Sequence, residues 1–223
     1  MPPLPCPDDV CLLYLVRHGA TKNNLANPPV LQGRGVNLGL SVDGIKQAQK
    51  TAEFLRNRPL AAAYSSNLLR AIETAEIIAA PHEVEVTQLE AITEVDVGKW
   101  EGRSWTEIAV TDAEAYRLFM ADPGVHGYLG GETMKQVEER VTPALRELME
   151  RHMGQRILVV AHNVVNRAFL ASLLHLPLSK ARGIRQDNCG VNVIRYRKGE
   201  MELVTLNAVF HLSDWKKDAA IRE

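Results

Sequence analysis

The apolar positions of this chain fall into short unbroken runs separated by longer stretches with a helical period. Residues 10–16 form one run, as expected of a strand buried on both faces, and it stops abruptly at Arg17-His18-Gly19. Residues 60–64 form a second run that ends in Ser65-Ser66, and residues 157–161 form another that ends in His162. Residues 84–89 alternate like a short strand. Between these runs, Ser41 or Asp43 caps a predicted helix with Ile45, Ala48, Ala52 and Leu55 inward, stopping near Pro59. A second helix is predicted over about residues 67–80, with Leu68, Ile72, Ala75 and Ile78 inward. Longer periodic stretches predict helices over about 132–152 and 164–175. Residues 190–206 read as a hairpin turning at Lys198-Gly199-Glu200.

Strands that alternate with helices predict an α/β fold: a mainly parallel central sheet, helices on both faces and an antiparallel edge hairpin. Residues 90–131 break the alternation. Gly98, Gly102, Gly124, Gly127, Gly130 and Gly131 interrupt them, around helical pieces at 106–109 and 112–120. They read as a small cap segment beside the site, within one domain spanning residues 1–223.

Composition narrows the function. With 26 basic and 27 acidic residues, the chain offers no electrostatic case for nucleic acid or an anionic membrane. Any anion selectivity must be local. Cys6, Cys11 and Cys189 are odd in number and far apart, so neither a disulfide framework nor a zinc pattern is expected. A reducing, cytoplasmic setting is the default expectation. The Pro-rich start, residues 1–9, lacks the basic and long apolar regions of a signal peptide, and no apolar run approaches a transmembrane helix. No phosphate-cradling GxxxxGK loop occurs. The oligomeric state is left open, a homodimer included.

The chemistry is concentrated at the strand ends. In a parallel sheet, Arg17-His18, the Ser65-Ser66 end leading to Arg70, and His162-Asn163 open onto one crevice, where α/β sheets bind ligands. Glu94 falls between them in sequence. Each alone has an ordinary reading: a helix-face arginine, a capping histidine, a solvated carboxylate, and loop residues at Asn24 and Gln32. Together, two arginines, two histidines and one acid suit a phosphoryl group, whose oxygens carry the transition-state charge. One histidine can attack phosphorus and the acid can protonate the leaving oxygen.

The LxxVRHGxT run at 13–21, the SSxLxRAxxTA run at 65–75, Glu94 ahead of Gly98-Lys99-Trp100-Glu101-Gly102, and the late His162 resemble the histidine phosphatase superfamily, in its phosphoglycerate-mutase-like branch. The resemblance covers roughly residues 10–212. It implies that His18 becomes phosphorylated and that Arg17, Arg70 and His162 bind the phosphoryl oxygens. It implies further that Asn24 and Gln32 line the pocket, that Glu94 is the proton donor, and that no metal or other cofactor takes part. Asn163 stands where the family usually has Gly, either as a structural replacement or with its amide entering the pocket. Asn37 stands where relatives often have Asp.

The implied activity is a metal-independent phosphomonoesterase acting on a small phosphorylated metabolite. The alternatives are a phosphoglycerate mutase, an α-ribazole phosphate phosphatase, which the stretch from Val159 to Asn163 with Arg167 loosely resembles, and an inactive phospho-ligand-binding module. Residues 101–131 carry Arg103 and Arg117 against Glu101, Glu107, Asp112, Glu114 and Asp122. So few basic residues favour the phosphatase. The region 182–189 either reaches a substrate tail or is a solvated loop.

Overall fold

A computed structural model describes residues 6–212, so the first five residues of the Pro-rich start lie outside it. Six strands form one sheet: β1 (Cys11–Arg17), β2 (Ala62–Ser65), β3 (Val86–Gln88), β4 (Arg156–Ala161), β5 (Val191–Arg197) and β6 (Glu200–Ala208). Their order is β3-β2-β4-β1-β5-β6. The first four are mutually parallel, and β5 and β6 add the antiparallel edge. The hairpin turns through Lys198 and Gly199, both at positive φ, the conformation that a tight hairpin requires.

Alternation along each central strand divides the core in two. Leu13, Leu15, Ile157 and Val159 face one side, where α6 (Met134–Arg151) contributes Val137, Val141 and Leu145 and α7 (Asn163–Leu173) contributes Phe169. Tyr14, Val16, Leu158 and Val160 face the other. There α2 (Val42–Leu55) contributes Leu55, and α3 (Leu69–Ala79) contributes Ala71, Ala75 and Ile78. Burial on both faces is why these strands read as unbroken apolar runs. The segment between β3 and α6 holds α4 (Trp105–Thr111) and α5 (Ala113–Ala121), close to the two helical pieces expected there.

Several expectations are corrected. Ile45 is 40% exposed because α2 buries the smaller face of Gly44, Ala48, Thr51, Ala52 and Leu55. Gly44 meets Gly19 there so closely that a Cβ on Gly19 would lie 2.6 Å from the Gly44 carbonyl oxygen. Ile72 is only half-buried, since α3 turns Arg70, Ala71, Thr74, Ala75 and Ile78 inward instead. The long helix begins at Met134, not 132. Thr133 caps it, with Gln136 returning the bond, and Glu132 is free to make ion pairs. A four-residue helix, α1 (Lys22–Leu25), occupies what read as loop. Cys6, Cys11 and Cys189 are free thiols, and burial pushes those of Cys11 and Cys189 up to about 12. Among the described residues no helix is long and apolar enough to cross a membrane.

Candidate active site

Because β1, β2 and β4 are adjacent and parallel, Arg17-His18, Ser65-Ser66 and Ala161-His162 emerge at one edge of the sheet. The His18 and His162 rings lie there with centroids 5.1 Å apart. His18 Nδ1 lies 2.7 Å from the Gly19 carbonyl oxygen. A carbonyl can only accept, so Nδ1 carries the proton and Nε2 keeps its lone pair. Burial, followed by the charges of Arg70 and Arg17, holds the His18 pKa well below the usual histidine value. The ring is therefore a neutral base at ordinary pH.

His162 ends β4 and starts α7. Its Nε2 sits 2.6 Å from Ser66 Oγ. Its Nδ1 is buried and has no partner in the protein. In the tautomer in which Ser66 donates to Nε2, Nδ1 carries a proton that no protein group accepts. Arg17 donates from Nη1 to the Gln186 carbonyl at 2.7 Å, while its buried Nε is likewise unpartnered.

Arg70 is wholly buried and donates to the Gly33 carbonyl at 3.0 Å and the Val36 carbonyl at 2.8 Å. Gln32 completes this arrangement: its amide oxygen accepts from Arg70 Nε at 3.1 Å, and its nitrogen donates to Thr21 Oγ1 at 2.8 Å. Burial lowers both guanidinium groups to about 10, well above working pH, so both stay charged.

These groups surround a cavity of about 180 Å³ whose wall includes Arg17, His18, Asn24, Gln32, Glu94 and Asn163. Arg70 and His162 have no exposed surface and do not line it. The amide oxygen of Asn24 accepts from Thr21 N and Oγ1, which leaves the NH2 end for the cavity. Asn163 reaches the cavity wall with an unpartnered, buried Oδ1.

Glu94 is 4% exposed. Its oxygens accept from Val95 N at 2.9 Å and from Val164 N, in the first turn of α7, at 3.4 Å. Burial raises its pKa and favours the protonated acid; the two amides, Arg70 and Arg17 oppose this. Asp96 and Glu101, the other acids of this stretch, are committed elsewhere. Glu101 accepts from Gly33 N and Gly35 N, and Asp96 accepts from Gly98 N.

Supports that pattern reading missed come from distant segments. Arg140 donates to the Ala91 and Glu94 carbonyls. It also pairs with Glu132, which accepts from Asp96 N and pairs with Arg34. This clamp brackets Glu94. The 182–189 region braces the end of β1: the Gln186 carbonyl holds Arg17, and Asn188 donates to the His18 carbonyl at 2.8 Å. Trp105, Tyr128 and Arg167 line the cavity as well. Among the described residues no group of three or more His, Cys, Asp or Glu is arranged to hold a metal ion.

Known proteins resemble this chain over most of its length. Phosphoserine phosphatase 1 of Hydrogenobacter thermophilus is 34% identical over 208 residues, 93% of this chain and 97% of that one. Phosphoglycerate mutase-like protein 4 of Arabidopsis thaliana is 34% identical over 202 residues, 86% of this chain and 82% of its own length. Among solved structures, the α-ribazole phosphatase of Shigella flexneri superposes with a TM-score of 0.79 at 27% identity, covering 88% of this chain and 96% of that one. The family model of the histidine phosphatase superfamily (branch 1) matches residues 13–209. Its nine-tenths coverage, together with relatives named as phosphatases, makes this chain a member of the histidine phosphatase superfamily and a phosphoric monoester hydrolase.

Proposed function

We propose that the chain hydrolyses a small phosphorylated metabolite through a phosphohistidine at His18, with water as the phosphoryl acceptor. The observation that carries this reading is the His18 Nδ1 to Gly19 carbonyl bond, which leaves Nε2 as a neutral nucleophile at the cavity wall. Arg17 and Arg70 supply positive charge near the phosphoryl oxygens, and Arg17 Nε and His162 Nδ1 are nitrogens without a protein partner. Nε2 attacks phosphorus as the ester P–O bond breaks, and Glu94 gives its proton to the leaving oxygen. The imidazole becomes cationic, and the Gly19 carbonyl on Nδ1–H stabilises that charge. Glu94, now ionised, takes a proton from water as the water attacks phosphorus. The P–N bond breaks, inorganic phosphate leaves, and His18 and Glu94 regain their starting forms.

Two arginines already supply the charge that a Lewis-acid metal would provide, so activity is expected to survive prolonged treatment with a chelator. Activity lost to EDTA and restored by a divalent ion would overturn this.

Water rather than a second phosphate-bearing molecule is the expected acceptor. A mutase must hold a bisphosphate while it reorients, which takes extra cations. Arg103, two residues ahead of α4, is already paired with Glu107 at 2.9 Å and Asp112 at 2.7 Å. Arg117 is exposed on α5, and neither lines the cavity. O-phosphoserine is the first substrate to test, because the Hydrogenobacter relative is named for it. A screen of phosphorylated metabolites should give phosphate release from monophosphates. It should also give little interconversion of 2- and 3-phosphoglycerate, even with added bisphosphoglycerate. A mutase rate well above the hydrolysis rate would make the mutase reading correct.

A further inference from the structure

A second cavity adjoins the first. It holds about 410 Å³, against about 180 Å³ for the phosphate-sized cavity. The two share Trp105, Tyr128, Val164 and Arg167 in their walls, so these four stand at the boundary between them. Beyond the shared wall the lining is apolar or aromatic, with Tyr116, Phe119, Met120 and Met134. The phosphohistidine chemistry uses none of this surface.

Two arginines touch the second cavity, and they differ. Arg182 lies over the Phe119 ring, 4.6 Å from its centroid, and donates to the Phe119 carbonyl at 3.0 Å and the Met120 carbonyl at 3.3 Å. Its fork is spent on holding α5. Arg167 donates only from Nε, to the Ile184 carbonyl at 2.8 Å. Among the described residues no carboxylate pairs with it, and its two Nη groups make no hydrogen bond. Burial lowers its pKa and Tyr128 and Glu94 oppose this; the Glu94 oxygens are held by Val95 N and Val164 N, and burial favours the neutral form of that acid. Beside it, Tyr128 is buried and stays a neutral phenol.

An always-charged planar fork without a counter-ion, at the junction of a phosphate-sized cavity and an apolar one, matches a bidentate anion on the substrate. One fork suits one carboxylate. A second phosphate would call for more cation than this wall offers.

We propose that Arg167 determines substrate specificity by binding a carboxylate on the organic part of the phosphomonoester, with the aromatic cavity beyond it taking an apolar remainder. The inference rests on the phosphomonoesterase reading above and narrows its substrate class to acidic organophosphates with an apolar group. It also gives the second cavity a use that phosphoserine alone would not.

Two matched pairs of substrates test it on the full chain. O-phosphoserine and phosphoethanolamine differ by the carboxylate, and the phosphate esters of lactate and 3-phenyllactate differ by the phenyl group. In each pair the leaving oxygen is a similar alkoxide. We expect kcat/KM about tenfold or more in favour of the carboxylate-bearing member, expressed in KM, from one charge-assisted bidentate contact. In Arg167→Met that preference falls to about twofold or less, and Arg167→Lys, which keeps the charge and loses the fork, lies between. The phenyl ester is expected to bind several-fold more tightly than the lactate ester.

A wild-type protein with no carboxylate preference, or a preference that persists in Arg167→Met, overturns the assignment of Arg167. Poorer use of the phenyl ester overturns the role of the aromatic cavity. Failure to hydrolyse any phosphomonoester would instead strike the phosphomonoesterase reading itself. If Arg167→Met fails to fold for want of its Ile184 bond, the wild-type ratio and Arg167→Lys still decide the matter.

Discussion

His18→Ala is expected to lose hydrolysis by a factor on the order of 10⁵ while the fold stays intact, since the proposed covalent intermediate forms on its ring. His18 packs as a small part of the strand end, and removing its ring leaves the two hydrophobic clusters of the sheet untouched. In the unsubstituted protein, quenching turnover in alkali should trap phosphate on this residue. Phosphohistidine is labile in acid, so label that survives acid would indicate an ester on a serine such as Ser66. Because burial and two arginines keep His18 neutral far below the usual histidine range, its protonation should not limit activity at mildly acidic pH. Appreciable turnover by His18→Ala would end the phosphohistidine mechanism.

The second large effect falls on Glu94→Gln. Glutamine fills the same space and keeps the acceptor for Val95 N, yet it cannot give a proton. General-acid assistance typically contributes about 10²–10⁴-fold, so alkyl phosphates should lose that much. A nitrophenyl phosphate, whose leaving group needs little help, should lose far less. The pH dependence has a definite sign. Burial raises the pKa of Glu94, and the proton donor is the protonated form. Activity on alkyl phosphates should therefore fall as pH rises through that raised pKa. Glu94→Gln should lack this basic limb. Equal losses on good and poor leaving groups would remove Glu94 from the role of acid.

Much of this site was legible in the sequence because burial has a plain signature. A strand covered on both faces must be apolar throughout, so Arg17-His18 and His162 stood out as abrupt polar stops, and parallel pairing brings such stops to one edge. Inward faces of helices were read less well. Apolar periodicity nominated Ile45 and Ile72, whereas α2 and α3 bury small residues and a fully enclosed arginine that no hydrophobicity pattern would select. Illegible altogether were the contacts that hold the candidate catalytic groups in place. Gln32 on Arg70, Glu101 on the amides of Gly33 and Gly35, and Arg140 on the Glu94 loop join segments tens of residues apart. Their partners are mostly backbone carbonyls and amides, which every residue carries and which leave no mark in composition. The short helix α1 was missed for a related reason: its one signal is Thr21 with Asn24 three residues on, a capping box around a helix too short to show a period.

The order of strands also bears on how the protein reaches its working state. In the sheet β1 lies between β4 and β5, so the first strand to be synthesised waits for partners some 145 and 180 residues later in the chain. Closing such long loops is entropically slow, and topologies rich in them fold late and cooperatively. The two histidine rings can meet only once that central pairing exists. Turnover thus reports on completed topology: a chain arrested before β4 docks can hold native-like α2 and α3 and still have no site, and a nascent chain is catalytically silent until nearly all of it has emerged.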